Sequence, residues 1–345
     1  MTDSERPVRQ PALDPPIAAL AVALDEHRPP DGPRTIERQR TEGEATMLLV
    51  RRPLDPSLEV AEHEVAVDGA TITVRVTRPR AATAPLPAYV YAHGGGWCTG
   101  TLDTAEVECG PVADTVGCVV VSIGYRRAPE HPFPVPLEDC VAAYRWVHDH
   151  AAELGIDAAR IGVGGTSAGA NLVAALCLVA RDRGLPMPCV QVLESPCLDL
   201  TLPHASIVEM GDGFGLTRDD IERFVDVYLA GQDPTQPYAS PARADDHQGL
   251  APIVVFTAEL DPLRDDGEAY LAALRYAGVP GAGFRVAGHL HGSWIIPFTV
   301  SAGLIDDLRT AALRRAFAGT LDPMATPPAG PTPATGAAGN VGEDR

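Results

Sequence analysis

Lysine is absent from all 345 residues, so the 27 basic side chains are every one arginine. That excludes a serine–lysine dyad, a Schiff-base amine and the lysine of a nucleotide phosphate loop. Cysteines number seven, an odd and scattered set with no C-x-x-C pair, which removes the common zinc and dithiol signatures. Most of them sit in apolar runs, where cysteine acts as a small hydrophobe, and they read as reduced thiols of a cytoplasmic protein. No apolar run is long enough to span a bilayer. Basic charge is outnumbered by 46 acids, for a net charge of −19. Such a surface disfavours nucleic acid and anionic membranes as partners and leaves a small molecule as the expected one. Neither a metal nor an organic cofactor is implied.

What is present is a chain with 45% hydrophobic residues, enough for one large domain with a small appended cap. Residues 1–16 are polar and proline-rich and are expected to be disordered. The apolar run Ile17 to Leu24 has a signal-peptide flavour, but Asp25-Glu26-His27-Arg28 stands where small cleavage-site residues belong. Two cap helices are expected instead, near Pro16–His27 and Thr35–Val50, so that residues 1–50 form an N-terminal cap segment. Residues 51–318 read as the catalytic domain. It opens with His63–Val67 and Thr71–Thr77, alternating runs joined by Asp68-Gly69, a strong hairpin signal. Strands are then expected at Ala88–His93, Cys118–Ile123, Arg160–Gly164, Val190–Glu194, Ile253–Ala258 and Phe284–Ala287. Helices are expected at Pro136–His150, Leu172–Arg183, Asp265–Ala277 and Ser301–Phe317. That alternation means an α/β fold: a mostly parallel sheet of about eight strands with helices on both faces. Residues 200–246 break the alternation and contain a capped helix, Ile221–Leu229, after Thr217; they are read as a cap insertion. Residues 319–345, rich in Pro, Gly, Ala and Thr without periodicity, read as a disordered tail.

The chemistry starts at Gly165-Thr166-Ser167-Ala168-Gly169, between an apolar strand and an alanine-rich helix. A G-x-S-x-G in that setting is a nucleophile elbow: the serine sits on a strained turn above the sheet, and the glycines let helix and strand approach. Serine is a weak nucleophile and needs a base, which needs an orienting acid. In the order expected for this fold the acid comes next. Asp261 follows the strand Ile253–Ala258, with Glu259 and Asp199 as rivals. The base is His291 in Gly288-His289-Leu290-His291-Gly292, with His289 as its neighbouring alternative. A second glycine cluster, His93-Gly94-Gly95-Gly96-Trp97, follows an early strand, where bare N–H groups of Gly95 and Gly96 would join that of Ala168 as an oxyanion hole.

Four stretches in order carry a family resemblance: His93-Gly94-Gly95-Gly96, the run Tyr125 to Pro134, Gly165-Thr166-Ser167-Ala168-Gly169, and Asp261-Pro262-Leu263 with His291-Gly292. The chain resembles the hormone-sensitive lipase family of α/β-hydrolases, the bacterial family IV esterases. The usual G-D-S-A-G-G reads G-T-S-A-G-A here, similar to a threonine-bearing branch. The usual H-G-F reads His291-Gly292-Ser293-Trp294, the aromatic displaced by one place. The resemblance implies the α/β-hydrolase fold with a helical cap. It also implies a serine carboxylesterase acting on short- to medium-chain acyl esters, with Ser167 as nucleophile, Asp261 as acid and His291 as base. Acyl transfer to another acceptor and amide cleavage use the same constellation. The family's hormone receptors bind small molecules without turnover, having lost the histidine that stands here as His291. Trp97, Phe214, Tyr238 and Trp294 are candidates for the pocket wall. Arg126 and Glu130 are read as an ion pair or hydrogen-bonding knot beneath the oxyanion loop, and His93 as a brace for that loop. Members often pair through the last sheet edge, so a homodimer through Phe284–Ala287 is expected.

Overall fold

The computed structural model describes residues 13–19, 35–296 and 299–321. The disordered ends expected at 1–16 and 319–345, and most of the first cap helix, therefore fall largely outside the described residues; of that helix, residues 15–19 are helical.

Asp68-Gly69 does close a hairpin. Strands β1 (Leu58–Val67) and β2 (Ala70–Pro79) pair antiparallel with Val67 opposite Ala70, and Gly69 takes the left-handed conformation, φ 67°, that a two-residue turn needs. β2 continues antiparallel onto β4 (Val119–Gly124), and from there the sheet is parallel. The order is β1-β2-β4-β3-β5-β6-β7-β8, with β3 (Leu86–Ala92), β5 (Ile156–Thr166), β6 (Gln191–Glu194), β7 (Ile253–Leu260) and β8 (Gly281–Leu290). β8 is longer than the sequence run suggests, because Gly281, Gly283 and Gly288 toward its ends belong to a pairing that local propensity does not announce.

The central strands are buried on both faces, and their side chains alternate between two cores. Ala88, Val90, Val119 and Val121 meet α3 (Val135–Asp149) and α4 (Ala168–Asp182) on one face. Tyr89, Tyr91, Val120 and Phe256 meet α2 (Leu102–Val112) and α8 (Val300–Phe317) on the other. The helix α2 carries no signal in the notional strand–helix alternation, since Gly110 and Pro111 lie near its end; a Thr101–Thr104 capping box starts it. α7 (Arg264–Tyr276) covers β7 and β8.

Two further pieces lie over the carboxyl ends of the strands. The first is α1 (Ile36–Leu49), capped by Thr35. The second lies in residues 200–246, with the short α5 (Ala205–Glu209) and the amphipathic α6 (Arg218–Leu229). Ile221, Val225, Tyr228 and Leu229 form the buried stripe of α6, with Thr217 and Asp220 as its capping box. The ring of Tyr228 stacks on Trp97, centroids 4.3 Å apart, so α6 docks directly on the glycine-rich loop. No helix among the described residues is long and apolar enough to cross a membrane.

Candidate active site

Ser167 lies where β5 ends and α4 begins, with φ 55° and ψ −119°. A non-glycine residue in that region stores on the order of 1–3 kcal/mol of strain and persists only if its surroundings fix it. Here they do. Ser167 N–H donates to Glu194 O at 2.8 Å, and Asn171 N–H donates to Ser167 O at 3.1 Å. A Cβ on Gly169 would stand 2.1 Å from Ala92 O, and one on Gly165 would stand 2.6 Å from the same atom. Only glycines allow that approach. Ala168 opens α4, so its N–H belongs to the first turn and lacks an intrahelical acceptor.

The glycine loop after β3 is a tight turn. Gly95 O accepts from Cys98 N–H and Thr99 N–H, and Gly95 and Gly96 have φ of 114° and 57°. His93 braces it from below: its Nδ1 lies 2.8 Å from Gly94 O, its ring stacks on Tyr125, and the Tyr125 hydroxyl donates to His93 O. Burial pushes the imidazole down to a pKa of about 4, so it stays neutral near pH 7.

Asp261 follows β7 and is fully buried. Its Oδ1 accepts from Leu263 N–H at 2.8 Å, and its Oδ2 lies 2.9 Å from His291 Nδ1. His291 reaches it from the loop after β8, where Gly292 takes φ 63°. The two rival acids are engaged elsewhere. Asp199 holds Thr201 and Arg243, and Glu259 accepts from Gly288 N–H. His289 is clamped between hydroxyls, Nδ1 at 2.8 Å from Ser293 and Nε2 at 2.5 Å from Ser301.

Ser167, Ala168, Gly95, Gly96 and His291 line one cavity of about 270 Å³. No hydrogen bond joins the Ser167 hydroxyl to the His291 ring; such contacts often tighten only around substrate. α1 contributes Met47 and Glu44 to the wall, and the cap contributes Leu216, Ile221 and Phe224. Trp97 lines the same cavity. Phe214 lines a second, more apolar one of about 460 Å³ that shares Met47, Phe224 and His291 with the first. Tyr238 and Trp294 border neither. The Tyr238 hydroxyl donates to Asp182 on the outer surface. The turn after His291 carries Trp294 down into the core, where its Nε1 donates to Glu194 Oε2 at 2.7 Å.

The expected Arg126–Glu130 pair does not form. Arg126 forks onto the buried Asp139 of α3, and Glu130 instead receives a two-pronged contact from Arg40 of α1. Arg40 holds the Glu130 carboxyl down at about 2, and also caps Cys98 O and Ala128 O, so α1 is pinned to the glycine loop. Sequence proximity suggested the wrong partner; both real ones come from other elements. Two buried acids near the elbow had no sequence signal beyond a glutamate in an apolar run. Glu194 sits below Ser167, bonded by Arg309 and Trp294. Glu108 lines the cavity and accepts the Tyr91 hydroxyl at 2.9 Å.

Residues 89–295 match the family model for the α/β hydrolase fold. A carboxylic ester hydrolase of Mycobacterium tuberculosis, LipN, is 40% identical over 257 residues, 72% of this chain and 68% of that protein. The carboxylesterase NlhH of the same species is 41% identical over 279 residues, covering 76% and 84%. Among solved structures, a hyperthermophilic esterase from the archaeon Pyrobaculum calidifontis superposes with a TM-score of 0.83 at 35% identity. That superposition covers 88% of this chain and 98% of the other.

Proposed function

The chain belongs to the α/β hydrolase fold family, among its hormone-sensitive lipase-like esterases, and from that premise we propose that it is a serine carboxylesterase working through an acyl-enzyme on Ser167. The observation that carries this reading is the shared cavity: a serine held in a strained left-handed turn, and a histidine whose other nitrogen faces a buried carboxylate. In the reaction His291 takes the Ser167 proton as Oγ attacks the ester carbonyl. The N–H groups of Gly95, Gly96 and Ala168 hold the oxyanion. The tetrahedral species collapses, His291 returns the proton to the departing alcohol, and water repeats the sequence on the acyl-enzyme. Asp261 fixes the tautomer of His291 and steadies its transient charge. The modest cavity supports short to medium acyl groups as substrates.

Two subsidiary readings accompany it. A homodimer through β8 is supported by that strand's place at the end of the sheet, paired to β7 alone among the described strands. A cytoplasmic location is supported by seven unpaired cysteines, six of them buried.

The test is a panel of esters with acyl chains of increasing length, run beside a phosphonate reagent. Turnover with single-site labelling at Ser167, both lost in Ser167→Ala, is the expected result. Wild-type turnover in Ser167→Ala would overturn the reading.

A further inference from the structure

Glu108 is the one acid in the cavity wall that the reaction above leaves without a task and that is nearly closed to solvent, at 8% exposure. It projects from α2 to the seam between the two halves of the catalytic apparatus. Its Oε2 accepts the Tyr91 hydroxyl at 2.9 Å, and the Tyr91 oxygen lies 2.8 Å from Thr166 Oγ1. Since Tyr91 spends its proton on Glu108, the Thr166 hydroxyl is the donor in the second contact. A directed chain thus runs Thr166 to Tyr91 to Glu108, and Thr166 is the residue immediately before Ser167. The other carboxylate oxygen points at the glycine loop. A Cβ on Gly94 would stand 3.7 Å from Glu108 Oε1 and 3.5 Å from Ser167 Cβ, so only the bare Gly94 backbone separates the two.

We propose that Glu108 is a positioning residue of the site: as a carboxylate it accepts from Tyr91, which in turn holds Thr166, and it lies against the Gly94 backbone, so that one point supports both the elbow and the oxyanion loop. The inference rests on the acyl-transfer reading of this cavity. Protonation removes the charge that draws the Tyr91 hydroxyl inward, so the ionised form is the working one. The groups around it set when that form is present. Burial raises the Glu108 pKa to about 7, Glu194 from β6 adds to the rise, and Tyr91, Gly94 N–H and Arg309 from α8 oppose it. Tyr125 after β4 and Cys109 on α2 also face it, both with protons held on by burial. Glu106, on the same helix, is turned to Arg51 and Arg75. His291 borders the same cavity and must itself be neutral to act as base.

Two deprotonations are therefore needed on the rising limb of activity. In the wild type, log(kcat/KM) climbs with pH at a slope above one, approaching two, over the range in which both groups titrate, where a lone histidine gives at most one. Glu108→Gln keeps the side-chain shape but loses the charge. We expect kcat to fall by up to about 100-fold, the scale of a small misplacement, with KM little changed and the slope over that range reduced to one. Tyr91→Phe keeps the carboxylate and deletes one donor that favours its ionised form. It should retain a slope above one with the upper ionisation moved to higher pH. Phosphonate labelling of Ser167 in every variant checks the parent reading separately. If Ser167 is labelled stoichiometrically and the wild type already shows a slope of one, or if Glu108→Gln keeps the wild-type kcat and slope, the positioning role is overturned while the esterase stands. Should Glu108→Gln fail to fold, the wild-type slope and the Tyr91→Phe shift decide the matter alone.

Discussion

His291 Nδ1 and Asp261 Oδ2 lie 2.9 Å apart across thirty residues of chain, and the carboxylate is fully buried beneath the ring. An N–H on Nδ1 leaves Nε2 as the free acceptor, which is the form a base must present. Asp261→Asn keeps the shape but offers an amide in place of one oxygen, favouring the wrong tautomer. It should lower kcat by roughly 10⁴-fold with little change in unfolding midpoint. Steady-state kinetics on Asp261→Asn, Asp199→Asn and Glu259→Gln distinguishes the three acids. Only the first should cause the collapse.

The two histidines of the last loop should separate cleanly. His291→Ala is expected to abolish ester turnover and to slow phosphonate labelling of Ser167. His289→Ala removes the shared partner of Ser293 and Ser301, each of which loses a hydrogen bond worth about 1 kcal/mol. Its effect should appear in the melting temperature, with most activity kept. The reverse pattern would transfer the role of base to His289.

The oxyanion loop tolerates no side chain at Gly95. A Cβ there would stand 2.4–2.7 Å from Thr99 Oγ1 and the Thr99 backbone, and φ of 114° is hostile to any L side chain. Gly95→Ala should displace the loop and cost about 10²–10³-fold in kcat, comparable to losing one oxyanion donor. Phosphonate labelling that stays fast in this variant would argue that Gly95 is no part of the hole.

Below the elbow, Arg309 and Glu194 form a buried pair at 2.8 Å. Burial works against the Arg309 charge, yet Glu194 and Asp306 outweigh it and raise its pKa. Arg309→Met strands the carboxylate and should cost about 3–5 kcal/mol of unfolding free energy. Replacing Glu194 by Gln in the same chain should recover much of that loss, as read by urea denaturation.

His93 and Glu108 pull stability in opposite directions with pH. The folded His93 titrates at about 4 against an ordinary 6.5, so between those values the unfolded chain binds more protons and stability falls as pH drops. Folded Glu108 titrates at about 7 against an ordinary 4.5, so there the native state binds more protons and stability falls as pH rises. From pH 4.5 to 6.5 the two offset. Removing one should expose the other. The unfolding free energy of Glu108→Gln, from urea denaturation, should decline on acidification more steeply than that of the wild type, by roughly 1 kcal/mol per pH unit. Parallel curves would count against one of the two shifts.

The sheet was legible where backbone and burial speak in period two: Asp68-Gly69 announced its hairpin, and the valine-rich runs announced the central strands. The elbow was legible because Gly165 and Gly169 are demanded by contacts with the Ala92 backbone. Partnerships between distant elements were not. Nothing local to Arg126 points to Asp139, and nothing near Glu130 points to an arginine 90 residues earlier. Trp294 was drawn toward the pocket by its nearness to His291, and a single 3₁₀ turn sends it to the core instead. Buried acids such as Glu108 and Glu194 escape pattern reading because their compensation lies in hydroxyls and guanidinium groups from other strands and helices.

The sheltered cysteines have a use. Six of the seven are buried and Cys189 is half-buried, and burial lifts the thiols of Cys98, Cys109 and Cys189 to about 12, leaving little nucleophilic thiolate near neutrality. A single cysteine placed on the exposed side of α6 would then outcompete the native ones for a maleimide dye, with no prior deletion of any. Paired with a tryptophan-quenching readout, that one fluorophore would report whether α6 keeps its place against Trp97 as an ester enters.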